Sequence, residues 1–97
     1  MRSNKHRLLK FAFGVGIEWY EAQHREQGGV CAVCKQPETV VDNRTRQPKN
    51  LAVDHNHKTG RIRGLLCSLC NRAAGAVRDD PATARALAAY LEHYAQD

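Results

Sequence analysis

Two Cys-x-x-Cys pairs constrain this chain more than any other feature. The pairs are Cys31/Cys34 and Cys67/Cys70, and they contain all four cysteines of the sequence. A two-residue spacer lets two thiolates contact one ion, and two such pairs complete the tetrahedral shell of a structural zinc without an open position for a substrate. We therefore expect one Zn²⁺ that builds the fold and takes no part in the chemistry.

Two disulfides are the alternative for the same cysteines. They would require an oxidising compartment, and the N-terminus lacks the features of an export signal. The apolar stretch from Leu8 to Ile17 is interrupted by Lys10 and has no small-residue cleavage site before Glu18. Paired Cys-x-x-Cys motifs in a chain that is not secreted more often bind metal, so zinc is the preferred interpretation.

The length of the chain makes a metal useful for stability. A domain of 97 residues buries only about 60 to 65% of its unfolded surface, so its core alone is marginal. We predict a single α+β domain over 1–97, with a basic N-terminal segment (1–16), a zinc-clamped core (27–78) and a C-terminal helix (80–96). No apolar run approaches the roughly 18 to 20 residues needed to span a bilayer, so we expect a soluble protein without a membrane partner.

Positive charge is concentrated in one part of the chain. The net charge is +5 and the pI is about 9.3, and between residues 44 and 72 the only acid is Asp54. The basic residues of this stretch are Arg44, Arg46, Lys49, Lys58, Arg61, Arg63 and Arg72. Such a surface binds polyanions by neutralising phosphates, although an ordinary solvated face is the alternative. We predict DNA contacts at Arg44, Arg46, Lys58, Arg61, Arg63 and Arg72.

A β-hairpin is predicted in the middle of this basic stretch. Residues 50–54 and 61–66 have strand composition, and the loop between them ends in a Thr-Gly turn signal. Strict alternation on the second strand places Arg61, Arg63 and Leu65 on one face and Ile62 and Leu66 on the other. The arginines would then face a ligand while Ile62 packs.

Helices are predicted on both sides of the hairpin. A helical segment is expected within 1–16, and a short helix over 17–27 should stop at the following glycine pair. After the hairpin, a helix should run from Ser68 to about Arg78, and another should start at Pro81 with Asp80 as its N-cap. The apolar stripe of this last helix consists of Ala84, Leu87, Ala88, Leu91 and Tyr94, and we expect it to cover the core.

A second group of residues has the chemistry of a hydrolytic site. Asp54, His55, Asn56 and His57 follow one another, and Asn71 directly follows the last cysteine. Carboxylate and amide oxygens suit Mg²⁺ or Mn²⁺, and a neutral imidazole can take a proton from water at pH 7. An ideal strand would point neighbouring side chains to opposite faces, so we expect the strand to bend or end at His55.

Purely structural roles remain open for the same residues. Asp54 could be a turn residue at a strand end, His57 could stabilise the loop, and Asn71 could hydrogen-bond near the helix start. A basic, zinc-stabilised domain without catalysis would then bind nucleic acid only. Asp54, His55 and Asn71 discriminate between the two functions, because a pure binding module gains nothing obvious from an acid among seven basic residues.

Together these motifs resemble the phage recombination endonuclease VII family of HNH nucleases. The segments that carry the resemblance are 27–34, 51–67 and 70–73. The resemblance implies a ββα-metal fold, structural zinc at the four cysteines, a catalytic divalent ion on Asp54 and Asn71, water activation by His55 and a phosphate or transition-state contact by His57. It also implies DNA as substrate, a phage-encoded protein acting in the cytoplasm of the bacterial host, and a homodimer or phage packaging and recombination proteins as partners.

Overall fold

The centre of the fold is an antiparallel β-hairpin followed directly by a helix. A computed structural model of the chain describes residues 16–96. Its elements in chain order are α1 (Ile17–Glu26), β1 (Ala52–His55), β2 (Ile62–Leu66), α2 (Ser68–Ala76) and α3 (Pro81–His93). The predicted α+β class and strand–strand–helix order are confirmed. The helical segment predicted for 1–16 lies, except for its last residue, outside the described residues.

The hairpin loop is organised by Asn56. Its backbone N–H donates to the carbonyl oxygen of Arg61 at 2.8 Å, and its own carbonyl oxygen accepts from the N–H of Gly60 at 2.7 Å. The Asn56 side-chain oxygen accepts from the N–H groups of Lys58 and Thr59 at 2.8 and 3.0 Å. Aspartate can make the same turn. The side chain at position 56 therefore shapes the loop that follows the Asp-His pair.

A β-bulge distorts the hairpin beside that pair. Val53 pairs with Leu65 and His55 pairs with Ile62, with an irregular register between them. Two residues of β2 therefore lie opposite a single residue of β1, Asp54. A bulge bends the strand and redirects side chains. As expected, β1 ends at His55.

The bulge also ends the predicted alternation on β2. Leu65 and Leu66 are both buried, with 0% and 5% exposure, and Ile62 packs against the same core. Leu65 therefore does not share an exposed face with Arg61 and Arg63, as strict alternation had predicted. The extra residue in β2 shifts the phase of the strand, and this shift has no signature in the hydrophobic pattern.

The core lies between α1, the hairpin and the first cysteine pair. Its buried residues are Ile17, Tyr20, Cys31, Leu51, Val53, Leu65, Leu66 and Cys67. The Tyr20 hydroxyl donates to the carbonyl oxygen of Leu51, and burial, followed by the nearby charge of Glu38, raises the pKa of Tyr20 to about 12. The predicted helix over 17–27 is confirmed, and it ends before Gly28 and Gly29, which both have positive φ.

Gln27 connects α1 to the hairpin through its side chain. The side-chain oxygen accepts from the N–H of Leu65 at 3.0 Å, while the side-chain nitrogen donates to the carbonyl oxygens of Leu65 and Val30, both at 2.9 Å. A Cβ at Gly64 would come within 3.3 Å of that side-chain oxygen. The side chain of Gln27 thus bonds to β2 as a short piece of neighbouring strand would.

Glu38 links the loop after the first cysteine pair to α2. Its residue is only 9% exposed, and its carboxylate accepts from the N–H groups of Thr39, Val40 and Ser68 and from the Ser68 hydroxyl. Burial opposes ionisation, but these hydrogen bonds lower the pKa of Glu38 below its usual value. The carboxylate therefore satisfies orphan donors at the N-terminus of α2.

The two C-terminal helices begin where the sequence predicts. Cys67 is the N-cap of α2 and Asp80 is the N-cap of α3. However, no residue of α3 is buried, and Leu87, Leu91 and Tyr94 are 48%, 59% and 50% exposed. The expectation that this helix covers the core is therefore wrong for the described residues, because α1 and the cysteine loops fill that role. In residues 16–96 no helix has both the length and the apolar character required to cross a membrane.

The four cysteines form one cluster that joins two distant parts of the chain. Their sulfur atoms all lie within 4.8 Å of one another, and the Sγ atoms of Cys34 and Cys67 are 3.8 Å apart. A disulfide requires about 2.05 Å, whereas a tetrahedron with Zn–S distances of about 2.3 Å has edges of about 3.8 Å. All four thiols are unlinked. The geometry therefore fits structural zinc, and no disulfide links the four cysteines.

The thiols of the cluster differ in how readily they ionise when no cation is bound. Burial alone would raise the pKa of Cys31, but hydrogen bonds from backbone N–H groups, including that of Val33, lower it to about 6. Burial raises the pKa of Cys70 to about 12, and contacts with the other cysteine sulfurs add to the shift. Several thiolates this close together repel one another, and a divalent ion removes that repulsion.

The first prediction concerns the cluster. Replacing Cys31 or Cys67 with serine should release zinc and lower the melting temperature by about 10 °C or more, because a small domain depends on its metal for folding energy. Bound zinc is measured by elemental analysis and stability by thermal unfolding. Val33→Ser is the matched control, since Val33 lies in the same loop, is 66% exposed and offers no ligand. A Cys67→Ser protein with full zinc content and unchanged stability would refute the structural role.

The second prediction concerns Gln27. Gln27→Ala removes the partner of the Leu65 N–H and one of the two donors to the Leu65 carbonyl oxygen, so it should lower the free energy of unfolding by about 2 kcal/mol. Urea denaturation measures this change. The control is Gln47→Ala, because Gln47 is exposed and should tolerate the loss. Equal stability of the two variants would mean that the Gln27 contacts add nothing to the fold.

Candidate active site at the end of the hairpin

Two histidine rings lie beside each other where β1 enters the loop. The ring centroids of His55 and His57 are 4.7 Å apart, and the ring planes are inclined by 45°. His55 is partly buried at the end of β1, whereas the side chain of His57 is 56% exposed. The predicted general base and the predicted phosphate contact are therefore neighbours in space.

Asp54 is buried and ion-paired. The residue is 6% exposed, and both carboxylate oxygens accept from Arg63, at 2.6 Å from Nε and 3.0 Å from Nη2. This two-point contact is the strongest geometry available to an arginine and a carboxylate. The hydrogen bonds to Asp54 raise the pKa of Arg63 above its usual value. The predicted metal ligand and a predicted DNA contact thus hold each other in this structure.

Asp79 extends this ion pair toward the histidines. One carboxylate oxygen accepts from Arg63 Nη2 at 3.2 Å. The other lies 2.8 Å from Nδ1 of His57 and accepts from the His57 backbone N–H at 3.3 Å. The contact with His57, followed by that with Arg63, lowers the pKa of Asp79 to about 2. A continuous polar chain therefore runs from Asp54 through Arg63 and Asp79 to His57.

The sequence analysis missed Asp79. The residue precedes the N-cap of α3, and only the cap itself has a local signature. Its partners lie 16 and 22 residues earlier in the chain, beyond the reach of helical or strand periodicity. The sequence around Asp79 therefore does not predict that its side chain contacts the hairpin.

Asn71 lies in a different depression from Asp54. Asp54, Arg63 and Asp79 line a largely apolar depression of about 390 Å³. Asn71 and Arg72 line a second depression of about 280 Å³, which they share with Lys49 and Ser68. No residue lines both. The structure thus brings Asp54 and His57 into one network and leaves Asn71 with basic residues of the predicted DNA surface.

The predicted DNA contacts other than Arg63 are exposed and take no part in the ion-pair network of Asp54 and Asp79. Arg44, Arg46, Lys58, Arg61 and Arg72 are all exposed. The Arg44 guanidinium is 92% exposed and lies 3.9 Å from Asp42. Arg44 and Arg46 belong to the segment 37–48, which has no helix or strand and contains an isolated bridge between Val41 and Pro48. These side chains can therefore reach a polyanion without breaking strong contacts.

Two groups of residues have the donor chemistry of a metal site. The cysteine cluster offers four soft sulfur ligands, which suit zinc. Asp54 and Asn71 offer hard oxygen atoms, which suit Mg²⁺ or Mn²⁺. Because Arg63 engages both oxygens of Asp54, an ion that binds this carboxylate shares its oxygen atoms with the guanidinium or competes with it for them.

Comparison with known proteins identifies relatives in phages. The gene 59 proteins of Mycobacterium phages D29 and L5 are 45% and 38% identical to this chain over 60 residues. Each match covers 62% of this chain but only 32% of the relative, so the chain matches about a third of the length of these proteins. No solved structure matches the chain.

A match to a family covers far more of the chain. The family described as recombination endonuclease VII matches residues 6–93. This range contains all four cysteines, the hairpin with its Asp-His pair, and all the helices of the described residues. The resemblance inferred from the motifs is thereby confirmed: the chain belongs to the recombination endonuclease VII family.

Proposed function

We propose that this protein is a metal-dependent DNA endonuclease of the HNH type that hydrolyses phosphodiester bonds. The observation that carries the proposal is the position of Asp54 and His55 at the bulged end of β1, in the strand–strand–helix unit of an endonuclease VII family member. Bulges often lie next to active sites, where they redirect side chains. The duplex, nicked or branched form of the DNA is left to the experiment below.

His55 is the general base of the proposed reaction. Its imidazole takes a proton from a water molecule whose oxygen attacks the phosphorus, while the bond from phosphorus to the 3′ oxygen breaks. The side chain is partly buried at the end of a strand, so the rigid hairpin holds it in place. A base fixed on such an element needs little reorganisation when the substrate arrives.

Asp54 and Asn71 would hold the catalytic divalent ion if its binding brings together these two side chains, which line separate depressions in the described structure. When bound, such an ion supplies charge stabilisation at the leaving oxygen and at a non-bridging oxygen. Asp54 contributes charge and Asn71 contributes a neutral carbonyl oxygen. In the described structure the Arg63 guanidinium pairs with Asp54, so a divalent ion that binds this carboxylate competes with the guanidinium.

DNA is the proposed partner of the exposed basic residues. Lys58 and Arg61 lie in the hairpin loop, and Arg72 shares the second depression with Lys49 and Asn71. Lysine and arginine on such a surface contact phosphates irrespective of sequence. His57, whose ring is half exposed, is proposed to contact the phosphate next to the base. The phage origin of the relatives supports action in the cytoplasm of an infected bacterial cell.

A non-catalytic nucleic-acid-binding module is the second candidate. One observation favours it: Arg63 engages both oxygens of Asp54, and a permanent ion pair would prevent metal binding at that carboxylate. Zinc and positive charge fit both functions equally. The two candidates differ in whether divalent ions change what the protein does to DNA.

The third prediction tests the enzyme against the binding module. With Mg²⁺ or Mn²⁺ the protein should nick supercoiled plasmid or cut a synthetic four-way junction, and EDTA should stop the reaction. His55→Ala should lower the rate by roughly 100-fold or more at unchanged zinc content and DNA affinity, because it removes the base. Asp54→Asn should raise the Mg²⁺ concentration required, and Asn71→Ala should do so more weakly because a neutral ligand contributes less charge.

His93→Ala is the matched control for the loss of a histidine. His93 is the last residue of α3 and contacts Tyr94 through an edge-on ring packing. Its replacement should leave the Mg²⁺ titration as in the parent. Equal rates for the parent and all three site variants would assign Asp54, His55 and Asn71 structural roles, and the binding module would become the preferred function.

The fourth prediction separates the two arginines of β2 and its loop. Arg61→Ala should weaken binding to all DNA sequences alike and reduce the slope of log affinity against log salt by about one, because one phosphate contact is lost. Arg63→Ala should reduce the slope less, since its charge is already shared between Asp54 and Asp79. Binding is measured by fluorescence anisotropy at several salt concentrations.

Arg25→Ala is the control for this series, because Arg25 is an exposed residue in the last turn of α1. It removes the same charge from a different element. A loss of affinity at Arg61 for some sequences only would indicate base recognition and would contradict the proposed phosphate contact.

A further inference from the structure

The turn between α2 and α3 holds an acid in an unusual backbone conformation. Arg78 and Asp79 have φ values of +59° and +54°. These values lie in the left-handed region, which residues other than glycine rarely adopt. Two such residues in succession cost conformational energy, and strain of this kind persists where the surrounding structure requires it. The turn directs the Asp79 carboxylate onto the hairpin, where it contacts His57 and Arg63.

The turn does not need that carboxylate to close. Backbone N–H groups of Arg78, Asp79 and Asp80 donate to carbonyl oxygens of α2 or its C-cap at 2.9 to 3.0 Å. The side chain of Asp80 caps α3 by accepting from Ala82 N–H at 3.1 Å. The contacts of the Asp79 side chain are therefore additional to those that hold the two helices.

The contact with Asp79 determines which nitrogen of His57 carries the proton. An ionised carboxylate only accepts hydrogen bonds, so Nδ1 of His57, at 2.8 Å, must be the donor. The same oxygen accepts from the His57 backbone N–H, which fixes the loop as well as the ring. Nε2, on the opposite side of the ring, is then directed away from Asp79, and the ring is 56% exposed.

Arg63 connects this arrangement to the other side of the site. Its Nη2 bonds to Asp79 at 3.2 Å and to Asp54 at 3.0 Å. If a divalent ion displaces Arg63 from Asp54, the bond to Asp79 retains the guanidinium nearby. Asp79 thus contacts His57, which is proposed to bind a phosphate, and Arg63, which pairs with the proposed metal ligand Asp54.

We propose that Asp79 is a positioning residue of the nuclease site, which holds one proton of His57 on Nδ1 and so directs Nε2 toward the bound DNA. A phosphate oxygen only accepts hydrogen bonds, so the phosphate contact is made by the ring that carries a second proton, on Nε2. The proposal rests on the proposed endonuclease function. It assigns Asp79 no contact with the substrate and no proton transfer. Carboxylates that orient a functional histidine in this way are common in enzymes, and their loss reduces activity without unfolding the protein.

Asp79→Asn is the decisive variant. Asparagine tolerates positive φ as aspartate does, so the turn should remain while the charged acceptor is lost. Nitrogen NMR of protein labelled with ¹⁵N-histidine, recorded at pH 8 without metal or DNA, distinguishes the two neutral tautomers. The parent should show His57 with its proton on Nδ1, and Asp79→Asn should show a mixture of tautomers. A parent with the proton on Nε2 would overturn the proposal.

Kinetics test whether this orientation matters for the reaction. Asp79→Asn should lower kcat for plasmid nicking by about 10-fold or more, with KM and thermal stability close to the parent. In a His57→Ala background the same change should alter kcat by less than about threefold, because Asp79 acts through His57. A full effect in that background, or a loss of stability that accounts for the loss of rate, would overturn the proposal.

Glu92→Gln is the matched control, since it removes one negative charge from the exposed surface of α3. It should match the parent in both experiments. A parent that does not cleave DNA would overturn the proposed function, whereas the tautomer measurement needs no cleavage and decides the orientation of His57 by itself.

Discussion

The rest of the structure depends on the cluster of four cysteine sulfurs, which come from Cys31, Cys34, Cys67 and Cys70. It joins the loop after α1 to the start of α2, two segments more than 30 residues apart in the chain. Cys67 both belongs to the cluster and caps α2 through its Sγ atom. A metal bound here therefore determines where α2 begins and in which direction it runs. Since α2 leads into the turn with Asp79, the cluster also positions an acid that is far from it in sequence.

The hairpin shows why Asp54, the proposed metal ligand, is held in an ion pair. A buried carboxylate without a partner is costly, and in the described residues Arg63 satisfies both oxygens of Asp54. The bulge places two residues of β2 opposite Asp54, one of which is Arg63. The same irregularity that ends the strand at His55 thus brings a cation to the neighbouring acid. The ion pair stabilises the folded protein and sets the competition that any divalent ion has to overcome.

Much of this arrangement could be predicted from the sequence because its signals are local. The two Cys-x-x-Cys pairs, the Thr-Gly turn and the Asp80-Pro81 helix start each have a signature within a few residues. Gln27, Glu38 and Asp79 were not predicted, because each acts through partners 16 to 38 residues away. The sequence correctly predicted α3 as a helix. The prediction that its apolar stripe covers the core was wrong, because these side chains are exposed. Periodicity identifies a face of a helix but does not identify what the face contacts.

The side chain of Gln27 has a consequence for the outer edge of β2. A sheet of two strands has exposed backbone groups on both sides, and such edges can pair with strands of other molecules. At Leu65 the N–H bonds to Gln27 Oε1, and the carbonyl oxygen accepts from both Gln27 Nε2 and the N–H of Ala32. The most deeply buried part of the strand therefore offers no open donor or acceptor to a foreign chain. A single amide side chain thus closes this position of the β2 edge to the edge-to-edge association that leads to aggregation.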